Sequence, residues 1–89
     1  MSDNDTSLKV FAQSKLPGKV VKDARLHEFA NSEYKVLLVA VEHEMPYVIL
    51  IHKTTYTYRV VPITRLSEAV SQFAPYDVGL HDFLNKLST

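Results

Sequence analysis

The apolar positions of this chain fall into a dense central block and helical stripes on either side of it. The block runs from Glu33 to Ile63, EYKVLLVAVEHEMPYVILIHKTTYTYRVVPI, and holds three β-rich runs separated by two short polar breaks. Tyr34 to Val41 and Tyr47 to Lys53 are crowded with Val, Ile, Leu and Tyr, residues that suit a pleated, buried surface, and Tyr56 to Val61 continues the pattern. The breaks are too short for a parallel crossover, so the pattern predicts an antiparallel meander. Pro62 cannot donate to a ladder and is expected to stop the last strand near Val61.

Both parities of the first two runs are apolar. Tyr34, Val36, Leu38 and Ala40 share one side, Leu37, Val39 and Val41 the other, and Tyr47 to Ile51 repeats the arrangement. A sheet with one wet face would alternate apolar with polar, so both faces of this hairpin need cover. Leu38, Ile49, Ile51 and Val60 are expected in the core. The face that the helices leave bare is expected to form a twofold homodimer, with Leu37, Val39 or Leu50 at the interface. The alternative is that the segment from Leu8 to Phe29 wraps over the second face and the protein is a monomer.

After Pro62, Leu66, Ala69, Val70 and Phe73 recur at helical spacing, with Thr64 as the expected N-cap and Pro75 as the stop. Leu80, Phe83, Leu84 and Leu87 repeat that spacing behind Asp77, although Gly79 weakens the first turn. Before the block, Leu8, Phe11, Ala12 and Leu16 lie on one helical face, with Thr6 or Ser7 as cap and Pro17-Gly18 as stop. A strand placing Leu8, Val10 and Ala12 on one side is the rival reading. Val20 to Phe29 reads as a first strand in a hairpin with Tyr34 to Glu42, with an amphipathic helix as the rival, because its alternation is imperfect. The fold class is therefore α+β: a three- or four-stranded antiparallel meander over about residues 20–61, with a short N-terminal helix and two C-terminal helices. It forms a single domain over 7–89 behind a flexible tail, 1–6.

Composition narrows the functional classes. Hydrophobic residues make up 46% of 89 residues, enough for one core and too many for a disordered chain. The longest apolar run, Val36 to Val41, is far short of the ~20 residues that span a bilayer, and the start MSDNDTS lacks the apolar stretch of a secretory signal. A soluble, cytoplasmic protein with no membrane partner is expected. Cysteine is absent, which excludes disulfides, thiolate metal sites and cysteine nucleophiles.

Candidate chemistry is sparse. His27-Glu28, His43-Glu44 and His81-Asp82 pair imidazole with carboxylate, but sequence neighbours point to opposite faces of a strand, and no spacing matches a ligand motif. Glu42-His43-Glu44 is the densest cluster, in an expected loop, and reads as solvated polar residues. The only glycines, Gly18 and Gly79, cannot build a phosphate loop. No catalytic residue, metal or cofactor is expected, and the protein reads as no enzyme.

Charge is segregated more than chemistry is. Between Met45 and Ser67 there is no Asp or Glu, while Lys53, Arg59 and Arg65 are interleaved with Tyr47, Tyr56 and Tyr58. A second basic run sets Lys15, Lys19, Lys22 and Arg25 against Asp23 alone. Bases and aromatics on a sheet are how single-stranded nucleic acid is neutralised and stacked, so Lys53, Tyr56, Tyr58 and Arg59 form the alternative reading, a nucleic-acid-binding strand. A net charge of zero weighs against it. The leading expectation is a small non-enzymatic binding or regulatory module acting through protein–protein contact, as a homodimer or with another protein.

Overall fold

The computed structural model describes the backbone of residues 3–88 and the side chains of residues 7–87. In chain order the elements are α1 (Asp3–Lys15), β1 (Val21–His27), β2 (Tyr34–Val41), β3 (Tyr47–His52), β4 (Tyr58–Pro62), α2 (Leu66–Phe73) and α3 (Val78–Ser88). The strands form one antiparallel sheet in the order β1-β2-β3-β4, so the meander and its flanking helices are those the pattern predicts. Among the described residues no helix is long and apolar enough to cross a membrane.

Two apolar faces demand two covers, and the ends of the chain supply both. Ala12 of α1 and Leu16 just after it pack on Ala24, Leu37, Val39, Val41 and Ile49. On the opposite face Leu66 and Val70 of α2 and Leu80 and Phe83 of α3 pack on Val36, Val48, Leu50 and Val61. The segment from Leu8 to Phe29 thus covers the second face through α1. Leu37 and Val39 are 0% exposed and Leu50 1%, so these expected interface residues lie within the two layers of the single chain.

Four local departures from the expected elements have physical causes. Helical backbone begins at Asp3, inside the expected tail, whose first two residues lie outside the described ones. Asp3 and Asp5 there are residue types that suit a helix start. In β1 the register slips between Val21, opposite Val41, and Asp23, opposite Ala40. This bulge turns Val21 and Ala24, of opposite parity, toward the same layer, which is why the alternation of this run is imperfect. Tyr56 does not extend β4: it sits in the β3–β4 turn at φ 59°, and the strand begins two residues later. Thr64 caps nothing, because residues 63–65 form a 3-10 turn whose flanking positions carry no side-chain cap bond.

Asp77 does cap α3. Its Oδ1 accepts the Leu80 N–H at 3.0 Å, while Oδ2 accepts from Ser32 Oγ at 3.0 Å and from the Glu33 N–H at 2.9 Å. The helix start is thereby pinned to the β1–β2 turn. Gly79 completes the junction, donating its N–H to the Asn31 carbonyl at 2.9 Å, and a Cβ there would lie 2.8 Å from Ser32 Cβ and 2.9 Å from Phe29 Cβ. Gly79 weakens the helix but admits this close approach. Gly79→Ala should therefore destabilise by about 1–2 kcal/mol in urea unfolding, since overpacking outweighs the ~1 kcal/mol of helix propensity gained. A stabilised variant would show that the turn gives way freely.

Candidate docking surface

The backbone ladder decides which parts of the sheet are free. The His52 N–H donates to the Thr57 carbonyl at 2.8 Å and the Ile63 N–H to the Pro46 carbonyl at 3.0 Å. In an antiparallel pair, hydrogen-bonded and non-hydrogen-bonded positions alternate. With Val48 opposite Val61 and Leu50 opposite Arg59, Arg59 and Val61 therefore turn their N–H and C=O groups toward β3. Tyr58 and Val60 turn theirs away, and so does Pro62, opposite Tyr47. This is why Pro62 is tolerated inside β4: its missing N–H falls where β3 needs none.

Among the described residues the outer edge of β4 is accordingly unpaired and open. Every residue from Thr54 to Val60 is exposed, and Val60, expected in the core, is 38% exposed because an edge strand lacks a neighbour on one side. Leu38 and Ile51, also expected there, are half-buried, while Ile49 is fully buried. The other edge of the sheet, β1, is blunted by its bulge and by exposed Lys22, Asp23 and Arg25. Beside Tyr58 opens an apolar groove of about 310 Å³ between α1 and the sheet. Leu8 and Phe11 form its helical wall, Leu26, Leu37 and Ile51 its floor, and Tyr56 and Tyr58 one end.

Tyr58 is locked in place. Its ring meets Phe11 edge-on with centroids 5.8 Å apart, and Lys15 Nζ lies 4.1 Å from the ring centre and donates to its hydroxyl. Tyr56 is different: it holds a left-handed backbone and leaves its side chain 74% exposed. Glycine or asparagine would occupy that position at lower cost, so neither the turn nor the core accounts for this tyrosine. An unfavourable backbone thus carries an exposed aromatic beside an apolar groove.

The residues of the nucleic-acid reading do not converge. Tyr58 lies opposite Ile51 on the α1 side, whereas Arg59 lies opposite Leu50 on the other, its guanidinium 3.7 Å from the centre of the Phe73 ring. Lys53 Nζ donates to the Phe29 carbonyl at 2.7 Å. The second basic run is also dispersed, with Arg25 on Asp23 at 3.2 Å and Lys19 on Glu44 at 2.8 Å. Glu42-His43-Glu44 is split likewise: His43 lies 3.6 Å from Glu42, while Glu44 turns to Lys19 and the Tyr47 hydroxyl. A larger cleft, about 430 Å³, lies between residues 30–34 and 73–77, but its Asp77 carboxylate is fully engaged in capping α3 and holding the turn.

The Lys19 ammonium and then the Tyr47 hydroxyl hold the Glu44 carboxyl below the usual carboxylate range, and Glu44 raises Lys19 in return. A depressed carboxyl stabilises the fold above its unfolded pKa, and that contribution fades as pH falls through the folded value. In a carboxyl NMR titration Glu44 should have a midpoint below that of an unpaired Glu, and Lys19→Ala should move it upward. An unmoved midpoint would mean that the pair does not persist in solution. No family model matches the chain, and no curated protein or solved structure matches it either.

Leu8, Phe11 and Leu26 of the groove were not among the site residues expected from sequence. Their signal was faint: Leu8 and Phe11 read as the inward stripe of a helix, yet α1 crosses only part of the sheet.

Proposed function

We propose that the protein is a small soluble, cytoplasmic, non-enzymatic binding module that acts through protein–protein contact as a homodimer. One observation carries the reading: the open run from Thr54 to Val60, with Tyr56 74% exposed, adjoins an apolar groove and an unpaired strand edge. Aromatic residues on an accessible, partly rigid surface are typical anchors of protein interfaces. Most of each sheet face is covered, by α1 on one side and by α2 and α3 on the other, so the open apolar surface lies at this end of the sheet.

Sedimentation equilibrium at micromolar concentration tests the reading. A mass near twice 10.1 kDa is expected, and a mass near 10.1 kDa would contradict self-association. Tyr56→Gly should shift the mass toward one chain, while stability at concentrations below the dimer range stays unchanged or rises by up to ~1 kcal/mol. Nucleic acid ranks below protein as partner because Tyr58 and Arg59 face opposite sides. Binding of single-stranded DNA or RNA that falls steeply with salt would reverse that order.

A further inference from the structure

The free edge of β4 is self-complementary, and the geometry points to β4 of a second copy as its occupant, antiparallel about a twofold axis at Val60. This rests on the reading that the protein acts by self-association, and it names the element and register that do so. Unpaired strand edges are templates for another strand, and β1 is the less suited edge because of its bulge and its charges at Lys22, Asp23 and Arg25.

The register follows from which groups point outward. Those are the N–H and C=O of Tyr58 and Val60 and the C=O of Pro62. An axis at Arg59 would pair Tyr58 with Val60 of the second copy, but it would set Arg59 directly against Arg59, and like charges in that position are destabilising. An axis at Val61 would pair Val60 with Pro62, which has no N–H to return. An axis at Val60 lets the two Val60 residues exchange both bonds and lets each Tyr58 N–H reach a Pro62 carbonyl, with Arg59 opposite Val61. It combines the largest number of bonds with no facing charges.

The same register extends an existing apolar row. Leu26, Leu37, Ile49 and Val60 lie opposite one another across the four strands on the α1 side, and Val60 would meet Val60 to continue that row into the second copy. Tyr58 of each chain would flank the seam on this side. Twofold closure uses up the edge and ends the assembly at two chains.

Charge exchange at Val60 tests the register. Val60 is 38% exposed, so Val60→Glu and Val60→Lys should both fold, as checked by circular dichroism and urea unfolding. Each alone sets like charges face to face and should raise the dimer dissociation constant roughly tenfold or more. Mixed in equal amounts, they should recover the dimer as a Glu–Lys pair, while Arg25→Glu on the β1 edge should leave the mass unchanged. If the unmodified chain is monomeric, the wider reading of self-association fails. If it is dimeric and both Val60 variants dimerise as well as it does, or the mixture recovers nothing, pairing at Val60 is overturned and self-association stands on another surface.

Discussion

A chain ending at Asp77 is expected to lose cooperative unfolding and to aggregate. The missing helix, α3, supplies Leu80, 1% exposed, and Phe83, 7% exposed, to the layer over Val36, Val48 and Leu50. Phe83 also packs against His27 and Phe29, with ring centroids 5.3 Å away in each case, and so ties down the end of β1. Burying a Leu or Phe side chain contributes about 1.5–3 kcal/mol, and both are lost together. A domain of this size has only about 5–10 kcal/mol to lose. The truncation also uncovers a central sheet face, so the destabilised chain exposes apolar surface. Urea unfolding and light scattering read the result. A truncated chain that stays soluble and equally stable would show α3 to be an appendage.

Ile49→Ala is expected to cost about 2–5 kcal/mol in urea unfolding, the usual range for a large aliphatic removed from a closed core. Ile49 is 0% exposed, in the layer formed by Ala12, Leu37 and Val39 beneath α1. Its position on a central strand leaves no side open to solvent. Val60 lies opposite it on β4, and at concentrations below the dimer range Val60→Ala should cost under about 1 kcal/mol, since in the single chain that side chain is already 38% exposed. Equal losses at the two positions would place the edge of the sheet elsewhere.

Much of the fold was legible because patterning and punctuation agreed. Tyr34 to Val41 and Tyr47 to His52 are strands too apolar for one wet face, and the inference that both faces need cover held. Asp77 and Pro75 marked the α2–α3 boundary where the structure has it. What stayed hidden depends on register and tertiary contact. A single extra residue near Lys22 reverses parity, and no composition signal reveals which residue is extra. Gly79 looked like a flaw in a helix until the turn at Phe29 to Ser32 was placed against it. The surplus of Leu37, Val39 and Leu50 pointed toward a partner, because three short helices looked too few to bury both faces of the sheet. Val60 looked buried because period-two alternation cannot tell an edge strand from a central one. One clue was present: a proline two residues on is tolerated in a strand whose outward N–H has no partner.

Pairing of β4 with β4 makes a definite short-range prediction. With Val60 on the axis, Arg59 of one chain and Val61 of the other form a non-hydrogen-bonded pair, with Cα atoms about 4.5 Å apart and Hα atoms in close contact. An isotope-filtered NOE experiment on a mixture of labelled and unlabelled chains isolates contacts between copies. The expected result is an intermolecular Hα–Hα contact between Arg59 and Val61. An Arg59–Arg59 contact, or a dimer with no β4 contact between copies, would contradict it.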